Sequence, residues 1–170
     1  MAHSLLILGG ARSGKSRRAL ACAEALGPRR MFIATAEAWD DEMAVRIARH
    51  KTERGGGWST LEAPLELVKG LHQASKEADV CLIDCLTLWL SNLMHQDRDV
   101  DAETQTLCDA IARASIPVIL VSNEVGLGLV PETPLGRAFR DAQGRLNQDI
   151  ARVCDRVEFV AAGLPIALKG

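Results

Sequence analysis

Lys15 and Ser16 close the run Gly9-Gly10-Ala11-Arg12-Ser13-Gly14-Lys15-Ser16, which fits G-x-x-x-x-G-K-[ST] at every fixed position. These residue types suit one kind of chemistry. Glycines let backbone N–H groups curl around the α- and β-phosphates of a nucleotide, and a helix opening at the end of the loop adds its positive dipole end. A lysine there reaches the β- and γ-phosphates, and the hydroxyl after it sits on Mg²⁺. Gly9, Gly10, Ala11, Arg12, Ser13, Gly14, Lys15 and Ser16 are therefore candidate nucleotide-binding residues. Lys15 is also a catalytic candidate and Ser16 a candidate metal ligand. A nucleoside triphosphate is the expected ligand.

Two further stretches carry polar groups at the ends of apolar runs. Asp84 follows Val80-Cys81-Leu82-Ile83, where a nucleotide-binding sheet places the acid that holds Mg²⁺ directly or through water. Capping of the segment after it is the plainer role, and the two are compatible. Asn123-Glu124 follows Pro117 to Ser122 and is either a substrate-facing loop or a plain strand-to-helix connection.

His50 has a distinctive setting. Met43, Ile47, His50 and Arg54 recur at i, i+4, i+7 and i+11, so they share one helix face. Arg46, Arg49, Lys51 and Arg54 surround the histidine with positive charge, which disfavours the imidazolium. A neutral imidazole is a nucleophile, and flanking cations suit attack at phosphorus. A surface histidine on a basic helix fits the same residues. His3, His72 and His95 have no comparable surroundings.

The elements that must hold these groups read as alternating strands and helices. Ser4 to Leu8 predicts a buried strand and Lys15 to Leu26 a helix, stopped by Gly27-Pro28. Arg30 to Thr35 predicts a second strand. Asp40-Asp41-Glu42 put acids in the first turn of a helix running to about Arg54, ended by Gly55-Gly56-Gly57. Trp58 to Glu62 reads as a third strand or a crossing loop. Helices over 64–78, 86–95, 102–114 and 135–153 and strands over 80–84, 117–122, 156–160 and 166–168 complete the pattern. Leu88, Trp89, Leu90, Leu93 and Met94 look like exposed or interfacial bulk. Such alternation implies a single α/β domain spanning 1–170, a mostly parallel sheet with helices on both faces.

Composition narrows the function classes. A net charge of -2 and the lack of a basic run give no pull toward nucleic acid. No run approaches the about 18 apolar residues of a membrane span. The start of the chain lacks the basic segment of a signal peptide. Cys22, Cys81, Cys85, Cys108 and Cys154 are scattered without a C-x-x-C pair and read as reduced thiols of a cytoplasmic protein.

Taken together, several motifs resemble one family over essentially the whole chain. They are the glycine loop, Ile33-Ala34-Thr35, Asp40-Asp41-Glu42-Met43, Arg46-Ile47-x-x-His50-Lys51 with Trp58 after it, and Asn123-Glu124-Val125-Gly126-x-Gly128-x-Val130-Pro131-Glu132. Phe139-Arg140-Asp141 and Gly144-Arg145-x-Asn147-Gln148 fit as well. The chain is similar to the bifunctional adenosylcobinamide kinases / adenosylcobinamide-phosphate guanylyltransferases of cobalamin biosynthesis.

The resemblance implies phosphorylation of adenosylcobinamide by GTP or ATP with Mg²⁺, then transfer of GMP from GTP to adenosylcobinamide phosphate. It implies a GMP–histidine intermediate at His50. Nucleotide contacts carried over from the family fall on the glycine loop, Ala34, Thr35, Ala36, Lys51, Thr52, Glu53, Arg54, Glu62 and Asp84. It also implies a P-loop fold akin to the recombinase-type ATPases and a homotrimer burying the surface around Trp89.

Two other classes remain at this level. An ordinary small-molecule kinase of the same fold explains Lys15, Ser16 and Asp84 but leaves His50 and the Asn123 loop idle. A GTPase switch needs Asn-Lys-x-Asp after a strand, which Asn123-Glu124-Val125-Gly126 is not. Asp141-Ala142-Gln143-Gly144 imitates a switch motif but falls within an expected helix.

Overall fold

A computed structural model describes residues 4–36, 52 and 54–170. Seven strands form one sheet: β1 (Ser4–Gly9), β2 (Arg30–Ala34), β3 (Trp58–Glu62), β4 (Val80–Asp84), β5 (Val118–Asn123), β6 (Arg156–Ala161) and β7 (Leu164–Lys169). Their order across the sheet is β3-β2-β4-β5-β1-β6-β7. Every neighbouring pair is parallel except β6 and β7, which form an antiparallel hairpin at one edge. Among the described residues the helices are α1 (Lys15–Glu24), α2 (Leu67–Glu77), α3 (Leu86–His95), α4 (Val100–Ala112) and α5 (Pro134–Val153). The helix expected from Asp40 to Arg54 lies outside the described residues except for Thr52 and Arg54.

The central strands are continuous apolar runs because both their faces are covered. Leu6, Leu8, Ile33, Ile83 and Leu120 point to the side carrying α2, α3, α4 and α5. Leu5, Ile7, Phe32, Leu82 and Ile119 point to the other, where α1 presents Ala19 and Ala23. Two alanines one helical turn apart let that helix lie close to the sheet.

Helix α3 departs from expectation. Trp89, Leu90 and Leu93 are at most 1% exposed, and the Trp89 indole N–H donates to the Leu65 carbonyl at 2.8 Å. The helix runs between the sheet and α4 and α5, so Leu86, Trp89, Leu90 and Leu93 are buried within this chain. Burying a leucine this way contributes about 2 kcal/mol. Leu88 and Met94 are half-buried. The surface around Trp89 is therefore core, not a face left open for a partner.

Caps account for two helix starts. Asp99 accepts from the Ala102 N–H ahead of α4, and Thr133 from the Gly136 N–H ahead of α5, where Pro134 also fits the first turn. Among the described residues no helix is long and apolar enough to cross a membrane.

Candidate active site

The strand register collects the candidate residues at one sheet edge. Gly9 lies opposite Asn123, and Ala34 lies opposite both Glu62 and Asp84. All are last residues of parallel strands, where ligands of such sheets bind. Five separate stretches of sequence therefore converge.

Between β1 and α1 the glycine loop turns sharply. Gly14, at φ 96°, caps α1 in the left-handed region that glycine tolerates, and Arg12 sits at φ 54°. At Gly9 a Cβ would lie 2.5 Å from Ser13 Oγ and 2.7 Å from the Val160 carbonyl, so only glycine fits. Lys15 Nζ donates to the Gly10 carbonyl at 3.0 Å, which holds the ammonium over the loop. The opening turn of α1 aims N–H groups without helical partners at the same space.

The β2 and β4 ends are tied together by Thr35. Its buried hydroxyl donates to the Cys85 carbonyl and accepts the Cys85 N–H, both at 2.8 Å. The Thr35 carbonyl in turn accepts from Asn92 Nδ2 at 2.9 Å. Thr35 thus orients the segment bearing Asp84, and its hydroxyl is committed there; Ala36 lies at the rim, half-buried. The Cys85 thiol is pushed up to about 11, first by burial and then by the negative charge of Asp84, with Lys15 opposing.

Arg54 is buried, with its guanidinium carbon 3.7 Å from the centre of the Phe32 ring and Nη2 donating to Thr60 Oγ1 at 3.1 Å. Burial lowers its pKa, and the charge of Asp84 works against that shift. Thr52 and Glu62 are exposed, Glu62 at the end of β3. His50, Lys51 and Glu53 lie outside the described residues.

At the β5 end the Glu124 N–H donates to the Gly9 carbonyl at 3.0 Å, which fastens the following loop beside the glycine loop. A buried polar cluster supports this turn. Gln143 Nε2 donates to Ser122 Oγ and Asn147 Oδ1, Asn147 Nδ2 donates to the Asn123 carbonyl, and the Asn123 N–H donates to Thr87 Oγ1. Lys15, the N–H groups opening α1, Arg54 and the Asp84 carboxylate thus gather at the carboxyl ends of the parallel strands.

The model of one protein family, "Cobinamide kinase / cobinamide phosphate guanyltransferase", matches residues 5–168. The chain belongs to this family. It is 48% identical to the bifunctional adenosylcobalamin biosynthesis protein CobP of Pseudomonas aeruginosa, over 97% of this chain and 96% of that one. It is 39% identical to the corresponding protein CobU of Salmonella typhimurium, over 97% and 99%. Among solved structures, a KaiC-like protein from Pyrococcus horikoshii matches with a TM-score of 0.54 at 14% identity, covering 92% of this chain and 71% of that one. That likeness is one of fold.

As a cobinamide kinase / guanyltransferase, the chain is an enzyme with both activities in its family's repertoire. An ordinary small-molecule kinase does not account for a match to this bifunctional family over nearly the whole chain. Asp141 to Gly144 lie within α5, so the switch-like motif is helix interior.

Some supporting residues escaped sequence reasoning. The Gly163 N–H, in the β6–β7 turn, donates to the Ser13 carbonyl at 2.7 Å and braces the glycine loop. Asn92 also donates to the Pro64 carbonyl at 3.0 Å, clamping the start of α2 to the Thr35 turn. Neither residue belongs to a local motif. The only available signal was Gly163 itself, a glycine at a tight turn near the chain's end.

Proposed function

We propose that this chain phosphorylates adenosylcobinamide with GTP or ATP and then guanylylates the product through His50. The observation that supports this most strongly is the meeting of the glycine loop, Asp84 and Arg54 at one sheet edge, in a chain of this family. In the first step the aminopropanol hydroxyl oxygen of adenosylcobinamide attacks the γ-phosphorus. The bond to the β–γ bridging oxygen breaks, the nucleoside diphosphate leaves, and the hydroxyl proton is released. Lys15 and the α1 N–H groups hold the phosphates in line.

In the second step an imidazole nitrogen of His50 attacks the α-phosphorus of GTP and pyrophosphate leaves. A phosphate oxygen of adenosylcobinamide phosphate then displaces the histidine, giving adenosylcobinamide-GDP. Two displacements let the bulky acceptor enter after pyrophosphate has gone. Ala34, Thr35, Ala36, Lys51, Thr52, Glu53, Arg54 and Glu62 make the remaining nucleotide contacts, Thr35 through its backbone.

Ser16 and Asp84 offer a hydroxyl and a carboxylate, hard oxygen donors of the kind that Mg²⁺ accepts beside phosphate oxygens and water. When bound there, Mg²⁺ would neutralise charge on the phosphates. The enzyme works as one domain, 1–170, in the cytoplasm, a setting that the five free cysteines favour. It assembles as a homotrimer through surfaces other than Trp89.

The test uses GTP labelled at either the α- or the γ-phosphate, with Mg²⁺, followed by denaturation. Protein-bound label from the α-position only, stable to base, labile to acid and lost in His50→Ala, is the expected result. Tight GTP binding without covalent label would remove the guanylyl half.

A further inference from the structure

The loop after β5 carries the most exposed aliphatic side chains of the described residues. Leu129 is 97% exposed, Leu127 82%, and Val130 and, at the start of α5, Leu135 each 63%. Four such side chains within nine residues form an apolar surface of the kind that marks a binding site. The backbone beneath them is held in place. Gly126 N–H donates to Glu124 Oε1 at 2.6 Å, and Arg137 Nη1 donates to the Pro131 and Glu132 carbonyls at 3.0 and 2.8 Å. Next to the loop, a groove of about 370 Å³ opens between α3 and α5, floored by Met94, Phe139 and Leu135 with His95 at its edge.

We propose that this loop and groove seat the corrin ring of the acceptor, an inference that rests on the kinase / guanylyltransferase reading above. The phosphate end of the site is fixed by the glycine loop, and the Glu124 N–H to Gly9 carbonyl bond makes the apolar loop continuous with it. A corrinoid is a broad macrocycle with apolar faces, an amide rim and its reacting hydroxyl at the end of a side arm. Such an acceptor needs an apolar platform beside the phosphate loop and a short path from platform to γ-phosphate. The β5 loop supplies the platform, and its hydrogen bond to the Gly9 carbonyl ties it to the glycine loop. A second copy of the chain has another apolar surface available, since Leu164, Ile166 and Leu168 are exposed on the edge strand β7.

The experiment measures steady-state kinetics with adenosylcobinamide on the full-length double variant Leu127→Ser, Leu129→Ser, with sedimentation velocity on the same preparations. Both side chains are exposed, so the fold does not depend on them. The KM for adenosylcobinamide is expected to rise tenfold or more, with the Kd for GTP within twofold of wild type and assembly unchanged. Leu26→Ser, beyond α1 at the opposite end of the sheet, leaves the corrinoid KM unchanged. An unaltered corrinoid KM in the double variant overturns the assignment, and so does a KM change accompanied by loss of assembly, which makes the loop an interface between copies. Wild-type protein that binds GTP but turns over no adenosylcobinamide would instead overturn the reading beneath it.

Discussion

Gly163 and Ser13 lie 150 positions apart in the chain, yet the Gly163 N–H donates to the Ser13 carbonyl at 2.7 Å. The β6–β7 turn therefore supports the phosphate loop from outside. Gly163 has a φ of +79°, and an added Cβ would stand 3.2 Å from Arg17 Nη2. Gly163→Val forces a branched side chain into left-handed backbone, at a cost of about 1–2 kcal/mol. The expected result is a lower Tm and GTP affinity weakened severalfold by calorimetry. Unchanged affinity would show that the glycine loop keeps its shape without this brace.

Thr35→Val tests how the Asp84 end is held. The hydroxyl serves both the N–H and the carbonyl of Cys85 in a buried setting, and valine offers neither bond. Leaving such a group without a partner costs about 1–3 kcal/mol. Urea denaturation is expected to show a loss in that range, and kcat should fall further than GTP affinity because Asp84 is misplaced. Thr35→Ser, which retains the hydroxyl, is expected to restore most of both.

The same residues show how far the site could be read before its structure. The strand–loop–helix around Gly9 to Ser16 and the place of Asp84 at a strand end are legible because the loop pattern falls within a few residues and the strands are continuous apolar runs. Trp58 to Glu62 was ambiguous because β3 is an edge strand, with only Trp58 and Leu61 half-buried. Trp89 reads as interfacial from the sequence because a largely apolar helix carries no sign of which neighbours cover it, and here α4, α5 and the sheet do. The Thr35–Cys85 and Gly163–Ser13 bonds arise only when distant segments meet, so no local periodicity announces them.

Acid stability should depend on Glu158. Arg18 donates to both its carboxylate oxygens at 2.8 Å and Arg156 donates to one at 3.0 Å, with Glu158 itself buried. The hydrogen bonds from Arg18 hold its carboxyl below the usual 4.5, against the effect of burial. A carboxyl more acidic in the folded state stabilises the fold above its unfolded value, and that contribution disappears as pH falls through the folded value. Unfolding free energy is therefore expected to drop with acidification below about pH 4.5, more steeply in wild type than in Glu158→Gln. Parallel curves for the two proteins would remove Glu158 as the source.

Arg54→Lys separates charge from geometry at the site. The guanidinium is stacked on Phe32 and bonded to Thr60, four positions along the chain from His50. A lysine keeps the positive charge but loses the planar fork and the ring stacking, an interaction worth about 2 kcal/mol when desolvated. If Arg54 only packs, the variant loses stability while covalent labelling by α-labelled GTP proceeds at the wild-type rate. Because the charge of Asp84 at the end of β4 acts on Arg54, a second effect is expected: labelling slowed tenfold or more, at temperatures well below the variant's Tm. Equal labelling rates in the two folded proteins would confine Arg54 to packing.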